Sequence, residues 1–504
     1  MSDQDLFFTI WRNSYLQQKV FISYTDYIII KNITQLDKKH NHLLSLNQHN
    51  IPVVYHLKDL DHYFIYCSHV YYYLITHVIV STYFYVNHFH LLQQQHTTPI
   101  LFGISITDKF KDPILLANDL PQSIKYYKQR NCDMINKDFI PKSVTSVYLD
   151  TTLIDIGAIP NSVRILVLNN QREDEDDSVD SDGSDIEYYI DDKEELKEDF
   201  NIKCLPQSLT QFNFNYDCKS AYINLDEIPP NLLYLNLNEC KCVINGKESV
   251  TQLKFESFYP LENFNLPSNL TYLSYEYWGD SYSAINLPFL PRNLKTLILK
   301  CCLTSESKDN FPIGLINYIN KDRRINQEKV LIIPHSVKKL GFYNQLTFSE
   351  LPVIPITVTD LEISRSWNLF TLQIKHLTNI TKLNICFDRY DDELLDELLI
   401  GLIPSTVTDL ELNYSKPIKK GVIPNSVTKL FLSSHKTVPI YIPNSVTTLT
   451  FLVDNQIYPE IEIPSSVRTL GAYGANFEKF PFHLFPNVTT FWFSKSDPYN
   501  LNNN

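Results

Sequence analysis

The chain has 504 residues, only 11 of them glycine, and a formal net charge of −13. That length exceeds one ordinary globular core, and no two glycines fall into G-x-G spacing, which excludes the phosphate-cradling loops of dinucleotide and P-loop sites. The acidity is local, because Glu173 to Asp199 holds 15 acidic and 2 basic residues, and the balanced remainder offers no basic stripe for nucleic acid.

The chain starts Met1-Ser2-Asp3-Gln4-Asp5, acidic where a secretory signal is basic and then apolar, and its nine cysteines lack framework spacing. Reduced thiols and a cytoplasmic location are expected. Leu6 to Leu16 has apolar residues at helical spacing. Residues 20 to 100 are rich in Tyr, Ile, Val and His, which favours strands, but no repeat can be phased there. Residues 1–115 are therefore expected to form an N-terminal cap region of mixed helix and strand.

Tyr63 to Val86 contains no Lys, Arg, Asp or Glu over 24 residues, long enough to cross a bilayer. Tyr and His run throughout it, so buried strands are the better reading and no membrane contact is expected. Ten of the 14 histidines lie between His40 and His96, and His88-Phe89-His90 would put two imidazoles on one strand face. No Cys or carboxylate pair accompanies them at ligand spacing, so neither metal nor cofactor is expected. Cys240 and Cys302 take a repeat position that suits a structural role.

From Leu120-Pro121-Gln122-Ser123-Ile124 onward a phrase recurs. It returns at Ile140-Pro141-Lys142-Ser143-Val144 and Ile159-Pro160-Asn161-Ser162-Val163, giving a first group of repeats over 116–170. Residues 171–204 interrupt it with like charge that can neither bury nor pair, so a disordered loop expelled between two strands is expected. Ser178, Ser181 and Ser184 in it resemble acidophilic kinase sites. Repeats resume over 205–495, with anchors at Leu209, Leu232, Val250, Leu270, Leu294, Val337, Val358, Ile380 and Val407; Phe311–Leu315 reads as a degenerate unit, and Asp391–Ile400 as an added helical turn. The clearest copies are Ile403-Pro404-Ser405-Thr406-Val407, Ile423-Pro424-Asn425-Ser426-Val427, Ile442-Pro443-Asn444-Ser445-Val446 and Ile463-Pro464-Ser465-Ser466-Val467, whose valines step by 20, 19 and 21 residues. Residues 496–504 form a polar tail.

A period of roughly 21 residues carrying L-x-x-L-x-L predicts a leucine-rich-repeat-like solenoid with one parallel β-strand per repeat. In Val427-Thr428-Lys429-Leu430-Phe431-Leu432 the leucines face inward and Lys429 and Phe431 outward. The sequons Asn269-Leu270-Thr271 and Asn487-Val488-Thr489 fall on this phrase and read as strand-entry residues, not glycosylation sites.

Phe264-Asn265-Leu266-Pro267, Ile285-Asn286-Leu287-Pro288 and Pro417-Ile418-Lys419-Lys420-Gly421-Val422-Ile423-Pro424-Asn425-Ser426-Val427 carry a name. Over about 115–495 the chain resembles the FNIP-repeat proteins, a leucine-rich-repeat-like family. The resemblance implies interaction through a solenoid. Some relatives carry an N-terminal F-box, which would imply a substrate receptor of a ubiquitin ligase, but residues 1–60 lack the Leu-Pro start of that motif.

The leading reading is a non-catalytic scaffold that binds a protein partner on a concave face lined by the strands. The alternation places Tyr234, Tyr272, Lys339, Tyr343, Asp360, Glu362, Lys382, Asp409, Glu411, Lys429, Phe431, Tyr473 and Trp492 on that face. Of these, Phe431, Tyr473, Trp492, Tyr272, Tyr343, Asp360, Glu362, Asp409 and Glu411 are the candidate partner-binding residues, because aromatics among mixed charges are what interfaces enrich. No nucleophile, base and orienter assemble from motifs; the carboxylates read as strand-surface groups. Phe431, Tyr473 and Trp492 are expected to wall a cleft floored by Thr448, Thr450, Thr469 and Gly471.

Overall fold

A computed structural model describes residues 28–48, 51–93, 101–106, 123–130, 134–151, 153–169, 200–215, 222–224, 227–238, 241–243, 248–279, 285–301, 303, 310–321, 333–343, 354–364, 374–386, 398, 400–414, 416–433, 439–452, 463–473 and 487–494. The expected helix at Leu6 to Leu16, the acidic stretch up to Asp199 with its serines, the phrase start at Leu120, Cys240, Cys302, most of Asp391–Ile400 and the tail from 496 lie outside these residues.

The local unit is built from the turn outward. In each clear phrase the proline carbonyl accepts the N–H of the residue three further on: Val407 to Pro404, Val427 to Pro424, Val446 to Pro443 and Val467 to Pro464, all at 3.1 Å. Proline donates nothing in this turn, so its missing N–H is no loss. The following residue makes the joint between repeats. The Thr408 carbonyl accepts the backbone N–H groups of Thr428 at 2.9 Å and Lys429 at 3.0 Å, and the Thr428 hydroxyl at 3.2 Å. Thr381 receives Thr408 and Asp409 in the same way, and Thr428 receives Thr447 and Thr448. The sequons belong to this pattern: the Thr271 and Thr489 hydroxyls donate to Thr251 and Arg468, and the Asn269 amide donates to Glu248.

Three residues before the proline the backbone turns left-handed at Gly157 (φ 84), Gly401 (φ 80) and Gly421 (φ 88), and at Asp138 (φ 63), the one non-glycine in that position to do so among the described residues. A Cβ disfavours this conformation, which is why glycine holds three of the four places.

These units stack into parallel ladders in two compact units, Thr25–Gly279 and Asp280–Asn504. In the first, Ile28–Ile30, Val53–Leu57, His77–Val80, Gly103–Ile106, Tyr126–Gln129, Ser146–Leu149, Ile165–Asn169, Gln211–Asn215, Tyr234–Leu237, Gln252–Ser257 and Tyr272–Tyr277 each pair with the next. In the second, the order is Thr296–Lys300, Asn317–Asn320, Lys339–Phe342, Asp360–Ser364, Lys382–Cys386, Asp409–Asn413, Lys429–Ser433, Thr448–Leu452, Thr469–Tyr473 and Thr490–Ser494. This is the expected leucine-rich-repeat-like solenoid, one strand per repeat, and Asn317–Asn320 confirms the degenerate unit after Phe311.

Burial alternates as the pattern demands: Leu410, Leu430, Leu449 and Leu470 form one covered column, with Leu412, Leu432, Phe451 and Ala472 beside it. Each fully buried side chain of this kind contributes roughly 1.5–3 kcal/mol, and its cover comes from the neighbouring repeats.

The N-terminal region departs from expectation. The ladder does not begin near residue 116; its strands run back to Ile28, and the helices Gln35–Gln48, Leu60–Ser68 and Thr82–Gln93 form the return segments there. Tyr63 to Val86 is accordingly not a run of buried strands but mostly helix, with one strand at His77–Val80. Asp59 starts the second helix by accepting the His62 N–H at 2.9 Å, and Tyr63 and Tyr66, three apart, face inward. His88 and His90 lie on a helix, not a strand face, and no cluster of three metal-ligating side chains occurs among the described residues. No described helix is long and apolar enough to cross a membrane.

His77 shows how tightly the outward face of the first unit packs. Its ring lies over Gly103, where an added Cβ would come within 1.8 Å of it, and stands 5.9 Å from the Tyr126 ring. Its Nδ1 meets the Thr76 hydroxyl at 2.9 Å, and burial pushes its pKa down to about 4.

Three outcomes follow from this packing. Leu449→Asp, which buries a carboxylate at a fully covered position, should lose several kcal/mol and open the array near 449 to limited proteolysis, whereas Thr448→Asp, one residue away, should behave as wild type. Gly421→Ala should lower stability by about 1 kcal/mol, while Asp138→Gly should be neutral or stabilising; denaturant melts of the two distinguish backbone strain from general sensitivity. Because His77 is lowered below its unfolded pKa of roughly 6.5, the unfolded chain binds the extra proton. Its contribution is therefore complete above about pH 6.5 and is lost as pH falls toward 4. His77→Gln should flatten that part of the stability profile.

Candidate functional site

Outward side chains of the second unit fall into three rows set by the strand register. The first row reads Lys339, Asp360, Lys382, Asp409, Lys429, Thr448, Thr469, each in register with the next. Its charges alternate strand by strand, at a spacing of about 4.8 Å. The middle row reads Gly341, Glu362, Asn384, Glu411, Phe431, Thr450, Gly471, Trp492. Tyr343 and Tyr473 stand in the third row, which also holds Cys386, Asn413, Ser433 and, next to Tyr473, Leu452.

Lys339 links the first two rows, its Nζ lying 3.9 Å from Asp360 and 4.0 Å from Glu362. Tyr343 donates its phenol to Glu362 Oε1, and the Lys321 ammonium lies 5.6 Å above the Tyr343 ring. Burial and then the Glu362 carboxylate push the Tyr343 pKa up, because a phenolate there would be poorly hydrated and beside a like charge. Tyr343 thus stays protonated and serves as a donor that fixes Glu362.

Phe431 and Tyr473 stand two strands apart, yet their ring centroids are 5.9 Å apart with planes at 61°. This edge-to-face contact is the one the rows predicted. No gap separates these two of the three expected walls. The touching rings form an aromatic plateau on the face, where Thr450 is only 8% exposed, Gly471 is buried and Leu452, in register with Tyr473, is half-buried. Contact between the rings removes more apolar area from water than an open gap would. Trp492 sits in register with Gly471, which extends the middle row; its side chain lies outside the described residues.

The remaining candidates fall where the alternation put them. Asp360, Glu362, Asp409 and Glu411 are half-buried outward carboxylates on two strands, Asp360–Ser364 and Asp409–Asn413. Tyr272 belongs to the first unit, two strands from Tyr234 across Gln252, and burial raises the pKa of both phenols. The pairing of His77 with Tyr126 across Gly103 was missed, since in sequence it shows only as an isolated glycine opening a strand.

Similarity to other proteins agrees with this architecture. The FNIP Repeat family matches residues 395–435, which hold the strands bearing Asp409, Glu411, Lys429 and Phe431. An FNIP repeat-containing protein of Acanthamoeba polyphaga mimivirus is 28% identical over 121 residues, 23% of this chain and 27% of that protein, so the match spans about a quarter of the relative's length. A solved structure described as a novel circular LRR protein, CroV588, is 18% identical over 88% of this chain and 72% of that one. Its TM-score is 0.37. The chain thus matches the FNIP Repeat family over residues 395–435, is similar to an FNIP repeat-containing protein over 121 residues, and is built as a leucine-rich-repeat-like solenoid.

Proposed function

We propose that this protein is a non-catalytic scaffold that binds a protein partner on the strand-lined, concave face of its solenoid. A repeat solenoid of leucine-rich-repeat-like kind suggests an interaction role in general. The observation that carries the finer reading is the second unit's outward face, where a charge ladder runs up to a preformed aromatic plateau on a single rigid register. Interfaces draw much of their affinity from aromatic anchors that need no rearrangement, and charged rows fix the orientation of the guest. The carboxylates of the face are spread at strand spacing or tied to Lys339 and Tyr343, an arrangement suited to recognition rather than to acid–base work. The ubiquitin-ligase alternative draws no support from residues 28–57, which form strand, helix and strand of the ladder.

Affinity purification from a native lysate, read by mass spectrometry, tests the face. A protein recovered with the wild-type chain should be lost with Asp409→Lys/Glu411→Lys and kept with Ile356→Ser, which lies on an exposed turn outside the strand face. Both variants should melt as wild type. Partners indifferent to every substitution on the strand face would remove it as the docking surface.

A further inference from the structure

The outward face of the first unit changes character over three consecutive strands. Ile165, Val167 and Asn169 lie in register with Gln211, Asn213 and Asn215, and Asn213 lies in register with Asn236 on the strand Tyr234–Leu237. No outward position of these strands is charged, whereas three neighbouring strands of the second unit carry Asp360, Glu362, Lys382, Asp409 and Glu411. What the block offers instead is carboxamide. Asn236 donates from Nδ2 to Asn215 Oδ1 at 3.2 Å, which ties two of the strands together, and Asn213 and Asn215 are half-buried. Asn236 is only 7% exposed. Asn213 Oδ1 and Asn236 Oδ1 are closed off from water and have no hydrogen-bond partner among the described residues. Folding alone disfavours a covered acceptor without a donor, so these two, in register, leave places for a donor from outside.

We infer that this carboxamide block holds the main chain of an extended, uncharged stretch of a protein partner. The inference rests on the scaffold reading and gives the first unit a docking surface of its own. A carboxamide carries an acceptor and a donor in one plane, the same pair that each peptide group presents. A helical guest has already spent those groups internally, so only an extended one can offer them. Turning the Asn213 and Asn236 amides toward a guest breaks no bond at oxygen, and the terminal amide torsion is soft. Without cations the block has nothing for phosphate, which sets nucleic acid aside. It also lacks carboxylates, the strongest acceptors for sugar hydroxyls. Ile165 and Val167 favour a peptide further, because half-buried branched aliphatics beside the amides can cover its side chains and give a glycan nothing to bond. A charged guest residue here would lose water with no opposite charge to meet it, so the stretch that binds is uncharged.

Random peptides displayed on phage, kept by the purified full-length chain and lost by its Asn213→Ala/Asn236→Ala variant, provide the probe. Those recovered should lack charge over their central residues. N-methylation of a single central peptide group, which removes one main-chain donor, should weaken binding about tenfold, and alanine at the same position should weaken it less. Asp409→Lys/Glu411→Lys should still bind these peptides, so failure of the second unit's face in affinity purification and failure of this block are read independently. Asn213→Ala removes an oxygen that has no partner and should melt at or above the wild-type temperature; if the double variant melts early, this single variant replaces it. Failure to recover any peptide that depends on the asparagines would overturn the proposal. Peptides that depend on them yet tolerate N-methylation and require particular side chains would overturn main-chain recognition. So would capture, from an array of neutral glycans, of a sugar that the same variants lose.

Discussion

The fold depends on one recurring joint, the strand-entry carbonyl that accepts two backbone N–H groups and, in many repeats, a threonine hydroxyl from the next repeat. Neighbouring repeats supply nearly all the cover that an apolar column receives, so a slip of one residue between strands would turn Leu430 and Leu449 outward. A carbonyl with three donors, as at Thr381, Thr408 and Thr428, pins the start of each strand before the side-chain alternation begins. Every row on the outward face inherits its alignment from that pin. The charge ladder from Lys339 to Lys429 and the contact of Phe431 with Tyr473 are therefore consequences of backbone register.

Much of this was legible in the sequence because the joint has a fixed vocabulary. Proline fits a turn that needs no donor at that place, valine fills the pocket behind it, and leucines two apart point inward, so the phrase around Val407, Val427, Val446 and Val467 announced strand, register and face together. Even the weakened copy at Phe311–Leu315 kept enough of it to be placed. The role of threonine was hidden. At Thr428 it reads as one more outward polar residue, and only the geometry reveals that its hydroxyl returns to the preceding repeat.

The first repeats were illegible for a physical reason. Helices such as Gln35–Gln48 do the work of the turn phrase there, so the proline-asparagine-serine signature is absent although the ladder is the same. The alternation also fails at Val53, Val54 and Tyr55, which are consecutive and all buried, so the strand cannot be phased by a period of two. Tyr63 to Val86 misled in the same way. Its lack of charge reflects Tyr63, Tyr66, Phe84 and Tyr85 buried from helices and Val78 and Val80 buried from a strand. An uncharged stretch reports that side chains are covered, and leaves open which element covers them.

Between Phe431 and Tyr473, two of the three expected walls of the cleft, the rings touch and leave no gap. Strand spacing places the two residues about 10 Å apart along the face, with Thr450 and Leu452 on the strand between them. From backbone geometry alone that spacing reads as a gap. Aromatic side chains are long enough to lean across two strands, however, and water strongly disfavours leaving two apolar ring surfaces parted over a floor too small to fill the space. The same logic seats His77 over Gly103 beside Tyr126 in the first unit. On this sheet a small residue between two large rings marks a bridge between them.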